Sequence, residues 1–483
     1  MSPTAPDNLF PLPLTAFERF MLADESADYP MFFYLQVRLK GVVDRNVMRS
    51  AVDQALSRHP LLCSRIETST RVIHWVWAGG EVPEPDWDRA RWMAEEPWRQ
   101  PIDLTTNIGL RVWGEQGSDH ATITIQFHHV CCDGIGAAQF LEDVAIAYAR
   151  HHAASTGATA ELPELRPLNL ELLKNRNRAE GRRVANVSGS IVRRIRIVMK
   201  YTIRYLAQVK LPLLSKATGD DGERHPGLGL LSLKLTRAET RGLRDAAKQH
   251  NASLNDLLVR ELMVTAQAWN SNISNKQPRL LRWKQPTFCV LVPISLRGPS
   301  DSELPACNVV SYIFIARPLM LVARPDELLI SVRDEMQLVH ESQAGWMFIQ
   351  ALKAMERIPG LLRLVMKRSR KNCMSTIVLS HMGNMLNAIG SRLPKRDGRI
   401  QMGNLLVEDV CGIPPIRQGT AAALSTIMVS GCLSITIRCC PVGFPQSDAQ
   451  ELLNSLLQGL RQTATTTCPP PKGAAQAHVS VSV

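Results

Sequence analysis

Thr122-Ile123-Thr124-Ile125-Gln126-Phe127-His128-His129-Val130-Cys131-Cys132-Asp133-Gly134 changes character twice within a few residues. From Thr122 to His129 apolar and polar side chains alternate, the period of a half-buried strand. Ile123, Ile125 and Phe127 make the apolar face. Continuing the phase puts His129 on that face at the strand's end and His128 beside Thr124 and Gln126 on the other. A polar ring turned towards a core needs a partner or a task. Asp133-Gly134 then predicts a tight turn into a helix over 135–150, where Ile135, Phe140, Leu141, Val144 and Tyr148 recur at helical spacing. Taken alone, a histidine at a strand end is an ordinary core or surface residue, and Asp133 an ordinary helix N-cap. His128, His129, Cys131 and Cys132 could each ligate a metal, but neighbours on a strand point to opposite faces and no C-x2-C or H-x3-H spacing is present. No metal is expected.

The rest of the chain bounds what surrounds this stretch. At 483 residues it exceeds one ordinary core and predicts two domains. A composition 45% hydrophobic and 21% charged is that of a folded globular protein. The eleven cysteines are odd in number and partly adjacent, as at Cys131-Cys132 and Cys439-Cys440, unlike a secreted disulfide framework. They predict reduced thiols and a cytoplasmic protein, with no signal peptide in residues 1–13 and no stretch apolar enough to span a bilayer. The net charge of +12 is concentrated: between Lys174 and Lys216 twelve basic residues face the single acid Glu180, a net +11. A nucleic-acid partner is not expected, because the remainder of the chain is close to neutral.

In chain order, 34–40 alternates as a strand ended by Gly41, and Asp44 caps a helix carrying Val47, Met48, Ala51, Val52, Ala55 and Leu56. Residues 72–77 and 109–113 read as further strands, the latter pairing with the histidine-bearing one. Trp75, Trp77, Trp87, Trp92 and Trp98 read as core and lid packing. Strands alternating with helices predict a layered α/β domain over 1–165. A basic segment, 166–226, contains 187–213, in which Ile191, Val192, Ile195, Val198, Met199, Tyr205, Leu206 and Val209 fall on one helical face and Arg193, Arg196, Lys200 and Arg204 on the opposite one. Either the helix docks on the protein with a solvated charged side, or it lies in an anionic membrane surface with Arg193, Arg194, Arg196, Lys200 and Arg204 among the headgroups. The second half, 227–466, opens with a strand at 230–235 and the capping-box pattern Thr236-x-x-Glu239. It continues through a helix at 257–269 begun by Ser253 and Asp256, strands at 288–293, 312–316, 424–430 and 432–438, and a closing helix at 448–461. The tail, 467–483, is expected to be disordered.

His128-His129-x-x-x-Asp133-Gly134 resembles the signature of the condensation-domain and chloramphenicol-acetyltransferase-like acyltransferases. That superfamily includes wax ester synthase/diacylglycerol acyltransferases, alcohol acetyltransferases and peptide-synthetase condensation domains. His59-Pro60-Leu61-Leu62-Cys63-Ser64-Arg65, following a strand and an amphipathic helix, is similar to the same family. Pro293-Ile294-Ser295-Leu296-Arg297 resembles its Pro-x-x-x-Arg element, and Asn308-Val309-Val310-Ser311 an Asn-x-x-Ser element lining its reaction tunnel. Asn255-Asp256 resembles a pair in wax ester synthase-like proteins, although helix-start chemistry explains Ser253 and Asp256 as well. Ser380-His381-Met382-Gly383 stands where relatives carry Ser-Asn-x-x-Gly, with His381 in place of the asparagine. The Asp-Phe-Gly-Trp-Gly motif of peptide-synthetase condensation domains is absent.

The resemblance implies an α/β (α+β) fold of two chloramphenicol-acetyltransferase-like half-domains with a substrate tunnel between them. It implies that His129 is the base, His128 auxiliary and Asp133 structural, paired with Arg297 and supported by Gly134. Asn308, Ser311 and Ser380 are the candidates for tunnel lining and for the oxyanion. The implied chemistry is transfer of an acyl group from a thioester, acyl-CoA or an acyl-carrier protein as co-substrate, to a hydroxyl or amine; the basic amphipathic segment favours a hydroxyl acceptor of lipid-like character. No bound cofactor is expected; a monomer is expected, cytoplasmic or, if the basic segment meets lipid, peripheral on the inner face of the membrane. A carrier-dependent, amide-forming condensation enzyme and a non-catalytic binding protein are the alternative expectations. Imidazole titrates near pH 6.5, so a neutral His129 would accept a proton from the attacking group at physiological pH.

Overall fold

The computed structural model describes residues 6, 8–69, 72–79, 83–88, 101–157, 162–176, 208–216, 230–274, 285–342, 344–370, 372–383, 392–440 and 444–466. Local chemistry sets the element boundaries where the sequence carries a cap. Asp44 accepts from the backbone of Asn46 and Val47 to start Arg45–Ser57. Thr236 and Glu239 close a reciprocal capping box at the start of Arg237–Gln249, and Ser253 and Asp256 do the same for Leu254–Ile273. Amphipathic burial then lengthens elements beyond their sequence signals. The helix after the histidine turn runs Gly134–Thr156 and the closing helix Gln446–Thr466, both longer than expected.

A six-stranded sheet carries the strand His120–His128, flanked by Leu110–Gln116 on one side and Phe32–Lys40 on the other. Its remaining strands, Leu405–Ile413, Arg399–Met402 and Lys395–Arg396, come from the second half of the sequence. The expected division into 1–165 and 227–466 therefore does not follow the sheets: the first half's sheet is completed by residues 395–413. Apolar Leu405, Val407 and Val410 drive that crossing, since they are buried in one core with Leu35, Leu39, Ile123 and Ile125.

The second sheet follows the order Val310–Pro318, Gln285–Ser295, Ile377–Gly383, Ala422–Val429, Cys432–Cys439, Leu230–Leu235. It packs against Leu254–Ile273, Pro325–Ser342 and Gln446–Thr466 in a separate core. A small third sheet joins Leu12–Pro13, His74–Trp77 and Ser64–Glu67.

The basic segment departs from expectation at its described ends. Gln208–Lys210 is a strand pairing in parallel with Gln285–Thr287, and Leu213 is buried, so no amphipathic helix reaches 213. Arg176, one of the twelve basic residues of that segment, is 3% exposed and donates from Nε and a terminal nitrogen to both oxygens of Glu18, at 2.8 and 2.7 Å. Trp75 Nε1 donates to the same carboxylate, which accounts for that tryptophan as core. Lys174 and Lys216 pair with Glu171 and Glu451. Arg193, Arg194, Arg196, Lys200 and Arg204, with Trp92, Trp98 and the tail, lie outside the described residues. Among those described, no helix is long and apolar enough to cross a membrane.

Candidate active site

The strand His120–His128 ends one residue before His129, whose backbone N–H donates to the Met31 carbonyl at 2.7 Å. The imidazole tilts over Phe33, ring centres 5.0 Å apart, and Phe33 is stacked on Phe127 from the strand's apolar face. The phase read from the sequence thus carries past the strand's end. The opposite face is less solvated than alternation predicts, because Gln126 and His128 are both buried. Tyr34 and, from the second half, Arg438 over the Phe32 ring cover that side.

The two histidines differ in engagement. His128 Nε2 lies 3.3 Å from Glu25 Oε2, and its Nδ1 accepts from Val130 N–H at 3.3 Å. That pair of contacts places the proton on Nε2 and leaves neither nitrogen for a substrate. His129 lines a cavity together with Phe33, Leu35, Gly134, Tyr312, Ser380 and Met382. Burial lowers the pKa of His129 below its ordinary value, against the opposing pull of its own backbone carbonyl and of Asp133. The ring is neutral at pH 7, the form that accepts a proton.

Asp133 is both the helix N-cap and the expected ion-pair partner. Its Oδ1 accepts from Gly136 N–H at 2.9 Å. Its Oδ2 accepts from an Arg297 terminal nitrogen at 2.6 Å and from Val309 N–H at 2.8 Å. Arg297 also donates to the Cys307 carbonyl at 2.9 Å. One buried carboxylate therefore ties the helix start to the segment 307–309. Gly134 leaves room for the second half: a Cβ there would stand 3.1 Å from Met382 Cε.

That clamp positions Asn308, and the outcome corrects its expected role. Asn308 Nδ2 donates to the His129 carbonyl at 2.7 Å and stands 3.5 Å from His129 Nδ1, with Met21 Sδ at 3.1 Å. It is buried beneath the histidine rather than among the cavity-lining residues, with its amide N–H spent on the His129 carbonyl. Ser311 is also displaced from its expected role: it is fully buried and its hydroxyl donates to the Gly345 carbonyl at 2.7 Å. Ser380 does reach the cavity, as do Val378 and Met382 at the same strand phase. His381 faces the other way, with Nδ1 2.7 Å from Thr426 Oγ1 and its pKa lowered by burial to about 4.

Asp24 and Arg417, missed in the sequence, line the cavity as a bidentate buried pair at 2.7 and 2.8 Å. They are 393 positions apart, and no local pattern announces either. Tyr312, read only as a strand residue, lines the cavity and packs edge-on to Phe17 and Phe20.

No family model matches the chain. Two uncharacterized proteins of Mycobacterium tuberculosis, MT2362 and Rv2305, are each 22% identical to it over 406 residues, covering 77% of this chain and 83% of theirs. Among solved structures, the first condensation domain of the calcium-dependent antibiotic synthetase in complex with a substrate analogue is similar at a TM-score of 0.62 and 14% identity, over 98% of this chain and 99% of that one. The epimerization domain from the third module of tyrocidine synthetase B is similar at 0.62 and 14%, over 95% and 98%. The starter condensation domain of rhizomide synthetase, in complex with C8-CoA and Leu-SNAC, is similar at 0.60 and 14%, over 95% and 96%. The fold is that of these two-lobed condensation domains.

Proposed function

We propose that the protein transfers an acyl group from a thioester to a hydroxyl or amine acceptor, with His129 as general base. The observation that carries this reading is a neutral imidazole lining a cavity built by both halves, next to a second imidazole whose nitrogens are already engaged. The acceptor's O–H or N–H proton moves to His129 as its lone pair attacks the thioester carbonyl. The carbonyl electrons become an oxyanion, for which the Ser380 hydroxyl is our candidate donor. Collapse re-forms the carbonyl, breaks the C–S bond, and returns the proton from the imidazolium to the departing thiolate. No acyl-enzyme is required.

For the finer assignment we propose acyl-CoA as donor and a lipid-like hydroxyl as acceptor, at an anionic membrane surface contacted through Arg193, Arg194, Arg196, Lys200 and Arg204. The likeness to condensation domains of synthetases favours a second reading, a carrier-bound donor and an amine acceptor; one of those structures is described in complex with C8-CoA and Leu-SNAC. Fold alone does not choose between them. Mass spectrometry of products from acyl-CoA or acyl-carrier donors offered with long-chain alcohols, diacylglycerol and amines tests both. Ester from acyl-CoA supports the first, and amide from a carrier the second. The absence of any product from a folded preparation across all these donors and acceptors would sink acyl transfer.

A further inference from the structure

The element His59-Pro60-Leu61-Leu62 takes no part in acyl transfer as described above, yet the His59 ring is buried and engaged on two sides. Its Nδ1 accepts from the Ala306 backbone N–H at 2.9 Å, across 247 positions of sequence. An accepting ring nitrogen carries no proton, so the proton sits on Nε2. Nε2 lies 3.4 Å from Asp143 Oδ2, long for a hydrogen bond but close enough for the charge to orient the N–H. Burial pushes the Asp143 carboxyl up, but His59 and Arg58, whose Nε donates to it at 2.5 Å, outweigh burial and hold its pKa below the ordinary value. Phe140, one turn before Asp143 on the helix Gly134–Thr156, meets the imidazole edge-on with ring centres 5.9 Å apart.

What His59 holds is the backbone that carries Asn308. The far end of that stretch is tied to Asp133, whose N–H donates to the Cys307 carbonyl at 3.3 Å and whose Oδ2 accepts from Val309 N–H at 2.8 Å. Its near end, at Ala306, is tied through His59 to Asp143, about three turns further along the helix that Asp133 caps. The helix also lies directly on the segment: a Cβ at Gly136 would stand 3.0 Å from Cys307 N and 3.1 Å from Ala306 Cα. Asn308 sits within the stretch so fixed, with Nδ2 on the His129 carbonyl. Without an acceptor at position 59 the Ala306 N–H would be stranded in the core, a cost that a shift of the backbone relieves. Such a shift begins two residues from Asn308.

We propose that His59 is a positioning residue for the base: it fixes 306–309 and, through Asn308, the place of His129. This rests on the acyl-transfer reading and adds to it a residue that does not line the cavity and never touches substrate.

The test uses the different reach of two side chains. Asparagine at position 59 puts its amide oxygen where Nδ1 stands, whereas glutamine puts its amide where Nε2 stands. In the full chain, with the donor and acceptor that the product screen identifies, His59→Asn is expected to keep kcat within about threefold of wild type. His59→Gln is expected to lower kcat about tenfold with KM little changed. In an Asn308→Ala background His59→Gln should cost nothing further, since the path from position 59 to the base is already cut. Equal kcat for His59→Asn and His59→Gln, or losses that multiply in the Asn308→Ala background, would overturn the proposal. His59→Leu, which also removes the acceptor, takes the place of His59→Gln if the latter fails to fold. Amide hydrogen exchange over 304–310 reads the tie without turnover: it should be faster in His59→Gln than in wild type and His59→Asn, and equal rates would overturn the proposal. Faster exchange with no product from any preparation, wild type included, leaves the tie standing and removes acyl transfer. Product formed equally by all three, with exchange unchanged, does the reverse.

Discussion

Two strands of this protein bring an imidazole to the same neighbourhood from opposite halves: His129 just after His120–His128, and His381 on Ile377–Gly383. Burial lowers the pKa of both rings, so each is neutral at pH 7. They differ in what reaches them. His129 lines the cavity, whereas His381 faces away from it, between Ser380 and Met382 that do line it, and contacts Thr426. A base needs access as well as a suitable pKa, and strand phase decides access. The largest expected effect follows: His129→Ala lowers kcat/KM by about two to four orders of magnitude, while His381→Asn leaves it within a few-fold. His128→Ala falls between them. Equal losses for His129→Ala and His381→Asn in folded protein would break the comparison. In the wild type, the acid limb of the kcat/KM profile is expected below pH 6.5, since a lowered pKa keeps His129 deprotonated to lower pH.

The next effect concerns what holds His129 in reach. Asp133 and Arg297 are nearly inaccessible, and removing one partner of a buried pair strands the other charge at about 3–5 kcal/mol. Asp133→Ala and Arg297→Ala should each lower the denaturation midpoint accordingly, with the double variant less destabilised than the sum. Additive losses would mean that the pair does not act as one unit. Among the described residues His381 has Thr426 Oγ1 as its side-chain partner and no buried ion pair, so the same pair of substitutions at Thr426 and His381 should cost less.

Smaller again is the effect of Asn308, which bonds the His129 carbonyl. Asn308→Ala should reduce kcat by about tenfold with KM little changed, because a slightly misplaced base loses rate rather than binding. Asn308→Asp, which keeps the shape but turns a carboxylate oxygen, an acceptor, towards the His129 carbonyl, should not rescue. A change confined to KM would return Asn308 to the role of a substrate contact.

How far these features could be read beforehand depends on the range of the interaction behind each. The capping residues Asp44, Thr236 and Ser253 act within one turn, and all three start helices where the sequence places them. Strand alternation placed His129 over the face carrying Phe127, and the pairing of Asp133 with Arg297 came from family resemblance rather than from spacing. Long-range choices were not legible. Nothing in residues 395–413 says that they complete the other half's sheet, because edge pairing is decided by which apolar face is left uncovered. Arg176 reads as one more charge in a basic run until Glu18, 158 positions earlier, is folded against it. Asn308 and Ser311 read from the sequence as tunnel lining; contact in three dimensions puts Asn308 on the His129 carbonyl and Ser311 on the Gly345 carbonyl, which no spacing in the sequence distinguishes.

The smallest effect separates the shared electrostatics of the two histidines from their unequal access. In the unfolded chain His381 takes a proton near its ordinary pH 6.5, but in the native protein only near pH 4. Between those values the unfolded state binds more protons, so native stability falls as pH drops through the window and levels off below it. His381→Asn keeps a polar partner for Thr426 but removes the titration. Its thermal midpoint should therefore decline less steeply than that of the wild type from pH 6.5 towards 4, and run parallel to it above 6.5. His129→Ala should flatten the same acid slope, its pKa being lowered for the same reason, yet abolish turnover where His381→Asn does not. Parallel midpoint curves for wild type and His381→Asn throughout the acid range would show that His381 takes up its proton at the same pH in the native protein as in the unfolded chain. The contrast between the two rings would then be one of charge as well as of reach.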